Sequence, residues 1–138
     1  MGSIHIRVII YYLTHPILNA MYLKLAHSKL DVYQCVRQLV LGCYKLSKHL
    51  PDSERYILVQ QIRRAGISVQ LNIAEGCTRR SRAERKRYFE IARGSVVEVD
   101  TAFEIVHDLK FLTKMEMDPV GILIIRSYQM LSAMINAE

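Results

Sequence analysis

A dense run of basic side chains is the feature of this sequence with the clearest chemical potential. The nine positions 79–87 hold six basic residues and one acidic residue. Such clusters bind phosphates because each neutralised phosphate releases condensed counterions, and the planar arginine fork can grip a phosphate with two hydrogen bonds. We therefore predict that eight residues, two of which precede the run, contact the backbone of RNA or DNA: Arg79, Arg80, Arg82, Arg85, Lys86, Arg87, Arg63 and Arg64.

The charge pattern also fits two other interpretations. Residues 79–93 hold seven basic and two acidic side chains, whereas residues 96–108 hold four acidic side chains and no lysine or arginine. A helix polarised in this way could dock against copies of itself, with its basic end near an acidic end. Alternatively, carboxylates of the same assembly neutralise the arginines, and the nucleic-acid hypothesis would then lose its physical basis.

No arrangement of residues in the sequence indicates catalysis. The five histidines lack HxxxH or HxxE spacing and the three cysteines lack a CxxC pair, so we expect no metal site. The glycines are isolated and form no phosphate-binding loop. Glu75 has no second carboxylate or histidine close in sequence that would make it an acid or base. We expect neither an enzyme nor a bound cofactor.

Several residues around the basic run are interpreted as structural. They are Asn72, Glu75, Gly76, Ser81, Glu84 and Gly94. Asn72 and Glu75 are expected to hydrogen-bond helix ends or to pair with Arg63, Arg64 or Arg79. These ties would fix a tight turn after the second predicted helix.

Apolar residues recur at intervals of three and four along four stretches, which predicts four helices. The predicted spans are 29–49, 52 or 53 to 75, 81–112 and 118–136. Gly76 is predicted to end the second helix in the left-handed conformation, and Ser81 with Glu84 fits a capping box at the start of the third. The fourth is predicted to begin at Asp118, with Pro119 in its first position.

The short links between these helices favour antiparallel neighbours. Residues 29–138 therefore predict an all-α, antiparallel, up-down-up-down four-helix bundle. Gly66 and Gly94 fit positions where a neighbouring helix packs closely. The fourth predicted helix is apolar on more than one stripe, so it either sits centrally or buries a second face against another subunit.

Residues 1–28 are predicted to be an extension that precedes the bundle, irregular or pairing as a strand with another chain. The longest apolar run, 8–13, is too short to span a membrane, and no signal-peptide pattern is present. Three cysteines without paired spacing fit a reducing compartment. We expect a cytoplasmic protein with no membrane partner.

A set of short motifs carries a resemblance to a known family. Residues 61–65 read QIRRA and residues 68–76 read SVQLNIAEG, followed by Tyr88-Phe89 and Gly94-Ser95. Over residues 29–115 this pattern resembles the 23S ribosomal RNA intervening-sequence proteins. One departure is Gln70, where family members often carry proline.

This resemblance implies a four-helix bundle that assembles as a ring-like homopentamer and is encoded within ribosomal RNA genes. The accessory proteins of diversity-generating retroelements are similar in fold and basic character, and they partner a reverse transcriptase and bind nucleic acid. We therefore expect a non-catalytic, homo-oligomeric protein that binds RNA or DNA. The alternative is a protein-interaction scaffold whose partner is a reverse transcriptase or another nucleic-acid enzyme.

Overall fold

The computed structural model describes Leu23 and residues 25–138, and four helices make up most of this part of the chain. The helices are α1, Asp31–Ser47; α2, Leu58–Thr78; α3, Arg82–Asp108; and α4, Lys114–Ala137. Short 3-10 turns lie at Ala26–Lys29 and Asp52–Glu54, and the described residues contain no strand. The predicted all-α four-helix bundle is confirmed, whereas the predicted irregular or strand-like extension lies almost wholly outside the described residues.

Each helix packs against two others: α1 and α3 both contact α2 and α4. Each link therefore joins two helices that pack together. The spacing of three and four brings one apolar stripe of each helix to the centre. The largest side chains that are completely buried there are Leu39, Ile62, Ile73 and Leu131.

The cysteines of α1 belong to this core. Cys35 and Cys43 are both buried, and all three cysteines are free thiols. Burial raises the pKa of Cys43 to about 12. Its thiol therefore stays protonated near neutral pH and packs as a small apolar group.

The starts of two helices differ from the predictions. α2 begins at Leu58, because the residues after Pro51 form a separate 3-10 turn. α4 begins at Lys114 rather than at Asp118, and Pro119 lies inside it. The reason is a capping box, in which the Thr113 hydroxyl accepts from the Glu116 backbone N–H and the Glu116 carboxylate accepts from the Thr113 N–H at 2.7 Å.

Gly66 and Gly76 of α2 act through close packing rather than through turns. Gly76 was predicted to end α2 in the left-handed conformation, and this is wrong: α2 continues to Thr78, and no glycine of the described residues has a positive φ. A Cβ at Gly76 would lie 2.7 Å from Cε1 of Phe89. Gly66 allows α1 to approach as predicted, because a Cβ at this position would lie 3.3 Å from Cys43 Sγ. The prediction that Gly94 also permits close packing is wrong, since a Cβ there would meet nothing within 4 Å among the described residues.

Replacing Gly76 by alanine should therefore lower the free energy of unfolding by about 1–3 kcal/mol, because the methyl group must displace a core aromatic ring. Gly94→Ala is the matched control on an exposed helix position, and it should raise the free energy of unfolding by about 0.5–1 kcal/mol through helix propensity alone. Urea denaturation followed by circular dichroism measures both. Equal effects of the two substitutions would contradict the proposed packing role.

The link between α3 and α4 is a Schellman motif with lysine in the position that glycine usually occupies. Lys110 has a φ of 59°, and its N–H donates to the His107 carbonyl at 2.9 Å. The Phe111 N–H donates to the Val106 carbonyl at 3.1 Å. These two bonds satisfy carbonyls at the end of α3, and they hold a backbone conformation that a Cβ disfavours.

Lys110→Gly should raise the free energy of unfolding by about 1 kcal/mol, because glycine adopts a positive φ without steric cost. Lys110→Ala removes the same charge but keeps the Cβ, so it should leave the stability close to that of the original protein. Chemical denaturation of the two variants side by side tests this. Equal stabilisation by alanine would mean that charge, and not backbone conformation, limits stability at this link.

α4 presents a second apolar stripe to solvent. Its inner stripe packs on the core through Val120, Ile124 and Leu131. On its outer side, Ile122 and Ile125 are each 59% exposed. By length and composition alone it is the one helix of the described residues that could cross a membrane, but core helices of soluble proteins pass the same test. This matches the expectation that the fourth helix is apolar on more than one face.

Candidate nucleic-acid interface

The basic run lies at the beginning of α3, where the chain turns out of α2 through three residues. Arg79 caps α2 in an extended conformation and Ser81 is the N-cap of α3. The Ser81 hydroxyl accepts a hydrogen bond from the Glu84 N–H at 3.4 Å, which is the serine half of the predicted capping box. The glutamate half of that prediction is wrong, because among the described residues the Glu84 carboxylate accepts no hydrogen bond from the Ser81 N–H. The run therefore straddles a helix start, where the helix dipole also favours anions.

Arg79 is paired with other side chains of the protein. Its Nη2 donates to the Glu75 carboxylate and, at 3.2 Å, to the Tyr88 hydroxyl. The guanidinium carbon also lies 5.1 Å from the centre of the Tyr88 ring. The predicted pairing of Glu75 with an arginine is confirmed. Arg79 therefore ties the end of α2 to α3, and it occupies the aromatic ring that could otherwise have stacked on a base.

Arg85 is also paired, with a residue far away in the sequence. Its Nη1 donates to the carbonyls of Arg80 at 2.8 Å and Arg79 at 3.3 Å. Its Nε and Nη2 each donate to one carboxylate oxygen of Glu138 at 2.8 Å. Sequence reasoning missed Glu138, because nothing in the local pattern links position 138 to position 85.

The hydrogen bond from Arg85 lowers the pKa of the Glu138 carboxyl. This contact therefore stabilises the fold at pH values above the ordinary glutamate pKa of 4.5, and its contribution is lost as the pH falls through the lowered pKa. At neutral pH the pair is fully formed. Arg82 joins it loosely, with Nε 3.9 Å from Glu138 and Nη2 donating to the Ala137 carbonyl at 3.2 Å.

Four basic residues of the run remain turned towards solvent. Arg80, Lys86 and Arg87 are exposed, and no carboxylate within residues 25–138 pairs with them. The Arg82 side chain is 68% exposed despite its long contact with Glu138. The six predicted phosphate contacts of the run therefore divide into two that are internally neutralised and four that are available.

Arg63 and Arg64 do not belong to the same cluster. They lie near the start of α2, roughly 20 Å along the helix from its end at Thr78. Arg63 faces α1, where its Nε donates to the Ser47 hydroxyl at 2.9 Å and its guanidinium carbon lies 4.8 Å from the Tyr44 ring centre. The prediction that these two arginines extend the basic run is wrong, because the length of α2 separates them from it.

A small, partly buried polar network connects α2 and α3. The Asn72 side-chain amide donates to the Ser68 carbonyl at 2.8 Å and lies 3.2 Å from the Ser68 hydroxyl. The hydroxyls of Ser68 and Ser95 are 2.8 Å apart. Asn72 therefore does not hold a helix end as predicted. It contacts Ser68, whose hydroxyl pairs with the buried Ser95, and no local sequence pattern predicts that pairing.

The far end of α3 is acidic, as the sequence indicated. Asp100, Glu104 and Asp108 are exposed there and, with Asp118 of α4, line a groove of about 530 Å³. Its floor is partly apolar, with Phe103 among the lining residues. Within the described residues no group of three or more His, Cys, Asp or Glu side chains is placed to hold a metal ion.

The sequence model of the 23S rRNA-intervening sequence protein family matches residues 28–137. The chain belongs to this family. The match includes α4, whereas the short motifs reached only to about residue 115. No functionally curated protein shows significant sequence similarity to the chain.

A solved structure shows the same fold. It is the crystal structure of a protein of unknown function from the S23 ribosomal protein family of Bacteroides thetaiotaomicron. The two chains superpose with a TM-score of 0.70 at 21% sequence identity, over 75% of this chain and 97% of that chain. At this identity the likeness shows the architecture alone.

In this 23S rRNA-intervening sequence protein, the NIAEG motif at positions 72–76 has a clear structural use. Asn72 orients Ser68, Glu75 holds Arg79, and Gly76 makes room for Phe89. All three act on the contact between α2 and α3. The motif therefore positions the start of α3, and with it the exposed basic side chains, rather than contacting a ligand itself.

Proposed function

We propose that this 23S rRNA-intervening sequence protein is a non-catalytic cytoplasmic protein that binds the backbone of RNA or DNA. The observation that carries the proposal is the exposure of Arg80, Arg82, Lys86 and Arg87 around one helix start. Three of these side chains have no carboxylate partner within the described residues, so binding a phosphate would not require breaking an ion pair.

The arrangement favours contacts with phosphate groups over contacts with bases. Arg82 and Lys86 are four residues apart and therefore lie on one side of adjacent helical turns. Tyr88, the nearest aromatic side chain of α3, is engaged by Arg79. Backbone contacts carry little sequence information and release counterions on binding, so we expect weak sequence preference and a steep dependence on salt.

The triple substitution of Arg80, Lys86 and Arg87 by alanine should weaken binding of an unstructured single-stranded RNA by at least about tenfold. It should also lower the slope of log affinity against log salt by about two, since each lost phosphate contact removes roughly 0.7. Fluorescence anisotropy at several salt concentrations measures both quantities.

Lys45, Lys48 and Arg55 provide the matched control. They are exposed, lie around the link between α1 and α2 away from the basic run, and their replacement by alanine changes the net charge equally. This variant should bind almost as the original protein does. Equal losses in the two triple variants would show that only overall charge matters, and affinity that is independent of salt would remove the proposal.

We further propose that the protein acts as a homo-oligomer, with a pentamer as the assembly that the family resemblance implies. The outer side of α4 exposes Met115, Ile122 and Ile125 at spacings of seven and three, so they share one face. Soluble monomers rarely leave such a stripe uncovered, and burial against another copy would remove it from water.

Replacing both Ile122 and Ile125 by aspartate should dissociate the assembly, because two charges would be buried in an apolar contact. Native mass spectrometry and sedimentation velocity would report the change from oligomer to monomer, with retained helical circular dichroism as the folding control. Aspartate at two exposed uncharged positions, Gln60→Asp on α2 and Thr101→Asp on α3, adds the same two negative charges and provides the comparison. A monomeric original protein would refute the proposal.

A protein-interaction scaffold remains the alternative, and the acidic groove between α3 and α4 is the observation that favours it. A groove with Asp100, Glu104 and Asp108 beside an apolar floor suits a basic protein segment better than a polyanion. A reverse transcriptase or another nucleic-acid enzyme is the partner that this alternative names. Copurification of such an enzyme without nucleic acid would favour the scaffold over the binding proposal.

A further inference from the structure

The guanidinium of Arg85 can bind an anion, and hydrogen bonds to the backbone hold one of its edges in place. The carbonyls of Arg79 and Arg80 accept from Nη1, which orients the plane of the group. The opposite edge, formed by Nε and Nη2, grips both carboxylate oxygens of Glu138 at 2.8 Å. This is the bidentate geometry in which arginine binds carboxylates and phosphates alike.

We propose that Glu138 is an internal competitor of the nucleic acid. In the free protein its carboxylate occupies the place beside Arg85 and Arg82 that a phosphate of the bound RNA or DNA takes in the complex. This inference rests on the proposed function and adds to it a regulating residue, Glu138, and one further phosphate contact, Arg85.

The position of Glu138 allows this exchange. The residue follows the last residue of α4, so its side chain can turn away while the helix remains packed. The Ala137 carbonyl accepts from Arg82 at 3.2 Å, and release of the Glu138 side chain breaks the two hydrogen bonds that it accepts from Arg85. The exposed side chains of Arg80 and Lys86 lie close to Arg85 in sequence, so a strand bound to them brings phosphates near the same group.

The chemistry of the exchange is balanced in charge. A phosphate diester carries one negative charge, as the carboxylate of Glu138 does, so Arg85 keeps one anionic partner before and after binding. Glu138 gains hydration when it leaves, because its side chain is 17% exposed in the paired state. The apparent affinity for the nucleic acid therefore equals the intrinsic affinity multiplied by the fraction of molecules in which Glu138 has released Arg85.

The test is a comparison of Glu138→Gln with Glu84→Gln in the RNA anisotropy assay. Both substitutions remove one negative charge near the basic run, and glutamine is equally suitable at the Glu84 capping position. We expect Glu138→Gln to raise the affinity about fivefold more than Glu84→Gln does. It should leave the slope of log affinity against log salt nearly unchanged, because a phosphate contacts Arg85 in the complexes of both the original protein and the variant.

A double-mutant cycle assigns the effect to the fork. In an Arg85→Ala background there is no fork to open, so Glu138→Gln should raise the affinity no more than Glu84→Gln does. Circular dichroism of each variant verifies that the helices are intact. A cycle in which the two substitutions act independently would overturn the inference.

Failure of this inference is distinguishable from failure of the proposed function. If Arg80, Lys86 and Arg87 matter for binding but Glu138→Gln matches Glu84→Gln, only the competitor role is wrong. If Glu138→Gln weakens binding, Glu138 holds Arg85 in place for the nucleic acid, which also refutes competition. If the original protein shows no salt-dependent RNA binding, the proposed function itself is wrong.

Discussion

The contact between α2 and α3 at Gly76 is the constraint on which the rest of the molecule depends. Because Gly76 has no side chain, the ring of Phe89 fits against the backbone of α2. This contact fixes where α3 begins, only three residues after α2 ends. Arg79, which pairs with Glu75 and with Tyr88, also connects the end of α2 to α3 and stabilises the same contact. The basic side chains of the first turns of α3 therefore extend from a helix start that is packed against α2.

The sequence predicts the architecture well, because apolar spacing reflects burial directly. The stripes that include Val36, Ile62, Val96 and Leu131 are buried in the bundle as their periodicity indicates. The ends of the helices are harder to predict, since capping residues, prolines and glycines indicate different end positions. At the start of α4 the pair Thr113 and Glu116 forms a two-sided cap, and this outweighs the proline signal further along. Gly76 looked like a helix terminator, but a glycine selected for close packing has the same appearance in a sequence.

The candidate site was predictable in composition but not in detail. The basic run is exposed at a helix start, as its density of charge indicated. Which arginines are already paired depends on contacts across 53 positions in the case of Arg85 and Glu138, and no local pattern contains that information. Arg63 and Arg64 were grouped with the run because of their type, yet the rise of α2 carries them away from it. The helix geometry must therefore be known before a cluster of charges in a sequence can be assigned to one surface of the protein.

The different environments of the cysteines provide a practical consequence. Cys35 and Cys43 are buried among apolar side chains, whereas Cys77 is only half-buried and lines a groove with Arg85 and Glu138. Thiol-directed reagents react with accessible thiolates, so a maleimide dye should attach first at Cys77. The native chain thus offers a spectroscopic reporter next to the arginine fork, and the ionic events there can be followed without introducing a foreign residue.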